Sequence, residues 1–279
     1  MISRVKGIAP TRTTLGYMLP NLLTTGNLFF GYYSIIKSMQ GDFTWAAGAI
    51  FLSSIFDVLD GRVARLTRTM SEFGVQYDSL CDLVSFGVAP ALLMYQYSLR
   101  DFGRMGWIFC FIFTACGALR LARFNVLSAK GKTSEDFIGL PIPMAAGTVA
   151  SFVAFTCDKG SRLEGQTWLI SFIYEFLSDK TVISYVFLVL APCLAFLMIS
   201  NIRYRSFKNT DIKGVKPFRV LALLVVLIAL TAYKPDLVSM VLFFSFALSG
   251  ILEWTLGWES LVDDDEVFES ESFEEGNHQ

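Results

Sequence analysis

The sequence predicts an all-α protein, a polytopic membrane bundle of about eight transmembrane helices, and three observations carry that prediction. Apolar residues make up 53% of the 279 positions and charged residues only 17%, against roughly 25% charge in a soluble domain. Apolar runs of about 20 residues, long enough to cross a bilayer, recur along the chain. Lys and Arg gather in alternate connections between those runs. Together they exclude a disordered chain, a nucleic-acid-binding arm and a disulfide-stapled secreted domain.

The spans are expected at roughly 19–38, 44–60, 80–99, 106–124, 141–157, 181–200, 217–233 and 236–256. A basic segment, 1–18, comes first and is expected on the cytoplasmic side. Arg4, Lys6, Arg12 and Pro20 lead into the first apolar run, and no small-residue cleavage site follows it, so it reads as a retained helix. The longest outer connection, 158–180, has the pattern of a short interfacial helix around Trp168–Phe176. Residues 19–256 form the membrane domain, and 257–279 form a tail. That tail has no hydrophobic periodicity and high charge density, which predicts disorder. No internal repeat points to an inverted-repeat transporter.

The net charge of −2 conceals an asymmetry. Residues 263–279 hold eight acids and no Lys or Arg, leaving a surplus of six positive charges elsewhere. With the N-terminus cytoplasmic, sixteen of the 23 Lys and Arg fall on the cytoplasmic side and seven on the other. Both termini are then cytoplasmic. The basic loop from Arg203 to Arg219 fits this topology and attraction to anionic lipid.

Cys81, Cys110, Cys116, Cys157 and Cys193 are scattered, with neither a CxxC pair nor a disulfide framework, and read as small apolar fillers. The one histidine, His278, sits in the acidic tail. Chemistry that depends on Ser-His-Asp or Cys-His is thereby excluded. A proton acceptor must be a carboxylate, Lys, Tyr or Cys.

Four acids stand where the second and third spans meet the cytoplasmic boundary: Asp57, Asp60, Asp78 and Asp82. A charge inside a membrane helix costs about 2.5–3.5 kcal/mol even on insertion scales, so they need compensation. Asp57 and Asp60 are three apart and Asp78 and Asp82 four apart, which puts each pair on one helix face. Packed together, the two faces make a nest of carboxylates whose repulsion a divalent cation relieves, with oxygen ligation suited to Mg²⁺, Mn²⁺ or Ca²⁺. A single such pair can also be a solvated helix end. Gly61 and Gly74 let a ligand approach the backbone, and Arg65 is placed to meet phosphate. Arg62 and Arg68 have lipid headgroups within reach.

The whole string reads Asp57-x2-Asp60-Gly61-x2-Ala64-Arg65-x8-Gly74-x3-Asp78-x3-Asp82, eight fixed positions over 26 residues. It resembles the motif of the CDP-alcohol phosphotransferase family without departure. The flanks are most similar to the serine-accepting, membrane-embedded branch of that family. They comprise Leu19–Phe29, Arg120-Leu121-Ala122-Arg123-Phe124-Asn125 and Phe137-Ile138-Gly139-Leu140-Pro141-Ile142-Pro143. The similarity is good over 17–150 and says little beyond.

The resemblance implies a transferase that displaces CMP from CDP-diacylglycerol with the hydroxyl of L-serine, in a bacterial plasma membrane and commonly as a homodimer. It implies two divalent ions, Mg²⁺ or Mn²⁺, held by Asp57, Asp60, Asp78 and Asp82, with Asp82 also the proton acceptor. Asn21, Thr24, Gly61, Arg65, Ser71 and Gly74 would hold the CDP-lipid. Asn21 after Pro20 and Ser71 before the third span are equally good helix N-caps. Arg120 and Arg123 suit the serine carboxylate, which a guanidinium binds bidentately, and suit acids or lipid phosphates as well. Two other readings stay open: the same chemistry on glycerol 3-phosphate or an inositol phosphate, and, more distantly, a cation transporter.

Overall fold

A computed structural model of the chain describes residues 12–67, 71–129, 137–157, 179–204, 230–232 and 234–255. Eight helices are numbered here in chain order. They are α1 (Arg12–Met39), α2 (Phe43–Thr67), α3 (Glu72–Asp82), α4 (Ala89–Tyr97), α5 (Arg104–Ala129), α6 (Ile142–Cys157), α7 (Lys180–Ile199) and α8 (Pro235–Thr255). A π-helical turn, Leu83–Val88, joins α3 to α4 without a break. The protein is a polytopic helical membrane protein, as its composition requires. Among the described residues, five stretches are long and apolar enough to cross a bilayer: α2, the α3–α4 unit, α5, α7 and α8.

Seven of the eight expected spans fall on described helices. Of the seventh, only 230–232 are described. The interfacial helix at Trp168–Phe176, the basic loop beyond Tyr204 and the acidic tail lie outside the described residues, as do Arg68, Lys130 and Lys132.

The first helix begins well before the apolar run that announces it and continues through Pro20. A proline removes one backbone donor from a helix interior. Further along the same helix, Thr24 Oγ1 donates to the Pro20 carbonyl at 3.1 Å and Thr25 Oγ1 to that of Asn21 at 2.8 Å. Asn21 is therefore a mid-helix residue, and the N-cap alternative for it is corrected. Ser71, by contrast, is an N-cap: its extended backbone (φ −129°, ψ 150°) opens α3, and its hydroxyl accepts from Gly74 N at 3.0 Å.

Small residues decide how closely the helices approach. The α1–α2 pair lies side by side, with Ser34 Oγ donating to the Ala46 carbonyl at 2.8 Å. Its turn uses Gly41 at φ +78° and an ion pair, Lys37 Nζ to Asp42 Oδ2 at 3.1 Å. A side chain on Gly31 would strike Ser85 of the π turn, whose Cα lies 2.6 Å from the position of a Cβ. In the middle of the bundle, α6 buries Ala145, Ala146, Val149, Ala150 and Val153 against α2 and α8. Large apolar residues such as Trp45, Trp107, Phe111 and Phe196 face outward, as lipid-facing positions should.

One unanticipated element is a two-residue antiparallel pairing of Phe137–Ile138 with Arg203–Tyr204. Gly139 (φ +71°) turns the chain out of it, and the Gly139 and Leu140 amides donate to Ile202 and Leu197 carbonyls at 2.8 and 2.9 Å. Tyr204 is buried, donates to the Ala247 carbonyl at 3.2 Å, and has its phenol pushed up to about 12 by desolvation. The pairing ties the α5–α6 connection to the ends of α7 and α8.

Candidate active site

Helices α2 and α3 bring three of the four expected acids together. Asp57 and Asp60, one turn apart on α2, face Asp78 on α3, and one carboxylate oxygen from each lies within 4.8 Å of the others. Asp60 is only 5% exposed. Asp60 Oδ2 and Asp78 Oδ1 are buried and have no hydrogen-bond partner. Buried carboxylate oxygens without donors are strongly unfavourable, more so when three acids share the space. A hard divalent cation is the counter-charge such an oxygen set accepts, so the donor chemistry fits a metal.

Asp82 stands outside this group of three. It is 8% exposed, and its Oδ1 accepts from Asn27 Nδ2 of α1 at 2.9 Å. Asn27 is fully buried and itself held from two sides. Ser53 of α2 donates to its side-chain oxygen, and Ser85 of the π turn donates to its carbonyl at 3.1 Å. Sequence reasoning assigned no role to Asn27, Ser53 or Ser85 individually. Asn27 does lie on the face of α1 that carries Thr24 and Gly31, and that spacing is the one signal available.

The residues expected to hold a CDP-lipid lie on α1, on α2 and at the start of α3. A Cβ on Gly74 would sit 3.1 Å from Ser71 Oγ and 3.6 Å from Asn21 Oδ1, so these three share one corner between α1 and α3. Thr24 is buried and stands beside Asp60. On α2, Gly61 has open space where a side chain would be. The nearest atom there is Arg65 Nη2 at 3.9 Å, which places the exposed guanidinium back over the glycine. Thr25, beside this region, hydrogen-bonds the Tyr77 hydroxyl at 3.0 Å.

Arg120 and Arg123 of α5 part company. Arg120 has its Nε buried without a partner, and Asp82 is the charge that acts on it. Arg123 Nη1 donates to the Ile199 carbonyl at 3.4 Å, at the C-terminal end of α7, where a cation meets the helix dipole. Asn125 reaches α3 instead, donating to Ser79 Oγ at 2.9 Å. Arg120 is thus the one on which an acid of the site is seen to act.

Comparison with known proteins gives the chain's family. Residues 17–176 match the model of the CDP-alcohol phosphatidyltransferase family. The chain is 37% identical over 238 residues to a CDP-diacylglycerol–serine O-phosphatidyltransferase of Helicobacter pylori, covering 85% of this chain and 91% of that protein. It is 46% identical over 136 residues to an archaetidylserine synthase of Methanothermobacter thermautotrophicus, 48% of this chain and 57% of that protein. A third similar protein, a CDP-diacylglycerol–serine O-phosphatidyltransferase of Methanocaldococcus jannaschii, is 41% identical over 160 residues, 57% of this chain and 63% of that one.

Proposed function

The chain belongs to the CDP-alcohol phosphatidyltransferase family, and on that premise we propose that it transfers the phosphatidyl group of CDP-diacylglycerol to L-serine with release of CMP. The observation that carries the chemistry is the group of Asp57, Asp60 and Asp78 with two buried, unpartnered carboxylate oxygens. The choice of serine rests on the names of the relatives over most of the chain.

In this reading Asp57, Asp60, Asp78 and Asp82 would hold the two divalent ions, Mg²⁺ or Mn²⁺. When bound, such ions supply charge neutralisation of the pyrophosphate and stabilise the entering and leaving oxygens. The chain's own residues do the rest. The corner of Asn21, Ser71 and Gly74 and the open backbone at Gly61 under Arg65 receive the CDP end. Thr24 closes the same side beside Asp60. Asp82 takes the proton of the serine hydroxyl at Oδ2, since Oδ1 is occupied by Asn27. The new bond joins the serine oxygen to the phosphatidyl phosphorus as the bond to CMP breaks. Arg120, with Arg123 behind it, meets the serine carboxylate.

The reading extends to the cell: a bacterial plasma membrane, site and termini cytoplasmic, and a homodimer for which exposed apolar residues of α7 and α8 such as Phe196 and Leu248 offer surface. The test is CMP release by purified protein given CDP-diacylglycerol, Mn²⁺ or Mg²⁺, and serine, glycerol 3-phosphate or inositol phosphate in turn. Serine-dependent release abolished by chelation is expected. Release with glycerol 3-phosphate or inositol phosphate but not serine keeps the chemistry and overturns the acceptor. No CMP release with any acceptor overturns the enzyme reading.

A further inference from the structure

We propose that Asn27 and Ser53 are positioning residues that fix which oxygen of Asp82 faces the incoming alcohol; the proposal rests on the reading of Asp82 as proton acceptor. The argument begins with donor arithmetic. An ionised carboxylate only accepts, so the Asn27 amide must turn its Nδ2 toward Asp82, where it lies 2.9 Å from Oδ1. Its oxygen then points the other way and needs a donor. Ser53 Oγ stands within hydrogen-bonding distance of both the Asn27 carbonyl and Asn27 Oδ1, yet a hydroxyl has one proton. Ser85 resolves the competition, since its own hydroxyl donates to the Asn27 carbonyl at 3.1 Å and leaves the Ser53 proton for Oδ1.

The result is a relay of fixed direction, from Ser53 to Asn27 to Asp82, and nothing in it is left to solvent. Asn27, Ser53 and Ser85 are all completely buried. The fold makes the contacts close. The π turn that begins immediately after Asp82 carries Ser85 onto α1, and Gly31 leaves room for it there. With Oδ1 held by Asn27, Oδ2 is the oxygen that Asp82 turns toward a hydroxyl. With Ser53 absent, the Asn27 amide loses the contact that decides its orientation, and a flipped amide would set oxygen against carboxylate.

The predicted signature is a loss in kcat transmitted through Asn27. Removing the hydrogen-bond partners that orient an active-site ligand typically lowers activity about 10- to 100-fold. Ser53→Ala is expected at about the lower figure and Asn27→Ala at about the upper, each with unchanged KM for serine and for CDP-diacylglycerol. Because Ser53 acts only through Asn27, the double variant should be no slower than Asn27→Ala alone. Ser53→Thr, which keeps the hydroxyl, should recover most of the rate. Thermal unfolding in detergent of every variant, read alongside, separates positioning from folding. Wild-type kcat in Ser53→Ala, losses that multiply in the double variant, or a fall in kcat tracked by a matching fall in unfolding temperature would each overturn the proposal. Asp82→Asn is measured in parallel: if it retains turnover, the proton-acceptor reading has failed and this proposal with it. If it is inactive while Ser53→Ala runs at the wild-type rate, the relay alone has failed.

Discussion

Asp60 Oδ2 and Asp78 Oδ1, buried and without donors, make neutralising these acids a different experiment from neutralising Asp82. Asp57→Asn removes a charge from a group of three crowded within 4.8 Å, so in the presence of chelator it should unfold at a higher temperature than the wild type. With Mn²⁺ added the order should reverse, because only the wild type gains the full binding energy of the ion. Differential scanning fluorimetry with and without metal checks both signs. Asp82 lies outside that group of three, although their charges act on it, and Asp82→Asn removes a different function. It should lower turnover by about 10²–10⁴-fold, the usual worth of a general base, while CDP-diacylglycerol binding persists. Near-normal turnover would remove Asp82 from that role.

At the scale of elements, the junction before α3 separates a structural from a binding duty. Ser71 caps the helix through Gly74 N, and replacing an N-cap serine by alanine costs roughly 1 kcal/mol. Ser71→Ala should therefore melt earlier, and Ser71→Asp, which also caps, should restore the melting temperature. If the hydroxyl also serves the CDP-lipid, Ser71→Asp will keep a raised KM for that substrate despite regained stability. A KM that recovers with stability would leave Ser71 a cap alone. This junction also shows what was legible in the sequence and why. Spacing of three and four put the acid pairs on helix faces, and those faces meet for Asp57, Asp60 and Asp78. Hydropathy located the apolar runs but not the polar turns at their ends, so α1 passes Pro20 unannounced and α2 continues to Thr67. The Asn27 contact escaped because an asparagine amid apolar residues carries no period of its own. Its meaning comes from Ser53 and Asp82, 26 and 55 residues away. The same holds for the Gly139 turn, whose amide finds its acceptor at Ile202.

At the scale of the whole molecule, the acids sit toward one end of α2 and at the start of the α3–α4 unit, and their side of the membrane follows from charge. If all eight expected spans cross, sixteen of 23 Lys and Arg fall on the same side as Arg62 and Arg65. Cytoplasmic connections carry that excess in polytopic proteins, so the site should open to the cytoplasm, where CDP-lipid headgroups and serine would be supplied. The two ends of α2 provide the check. Leu66, 84% exposed, lies six residues beyond Asp60, and Gln40 lies exposed in the turn before α2. In a background lacking the five native cysteines, Leu66→Cys should react with a membrane-impermeant maleimide in inside-out vesicles only, and Gln40→Cys in right-side-out vesicles only. CDP-diacylglycerol with Mn²⁺ should slow labelling of Leu66→Cys and leave Gln40→Cys untouched, because only the first lies beside Gly61 and Arg65. The reverse labelling pattern would invert the topology. Labelling of both from one side would require α2 to re-enter rather than cross, which its 25 residues, roughly 37 Å at 1.5 Å per residue, do not favour over spanning a core about 30 Å thick.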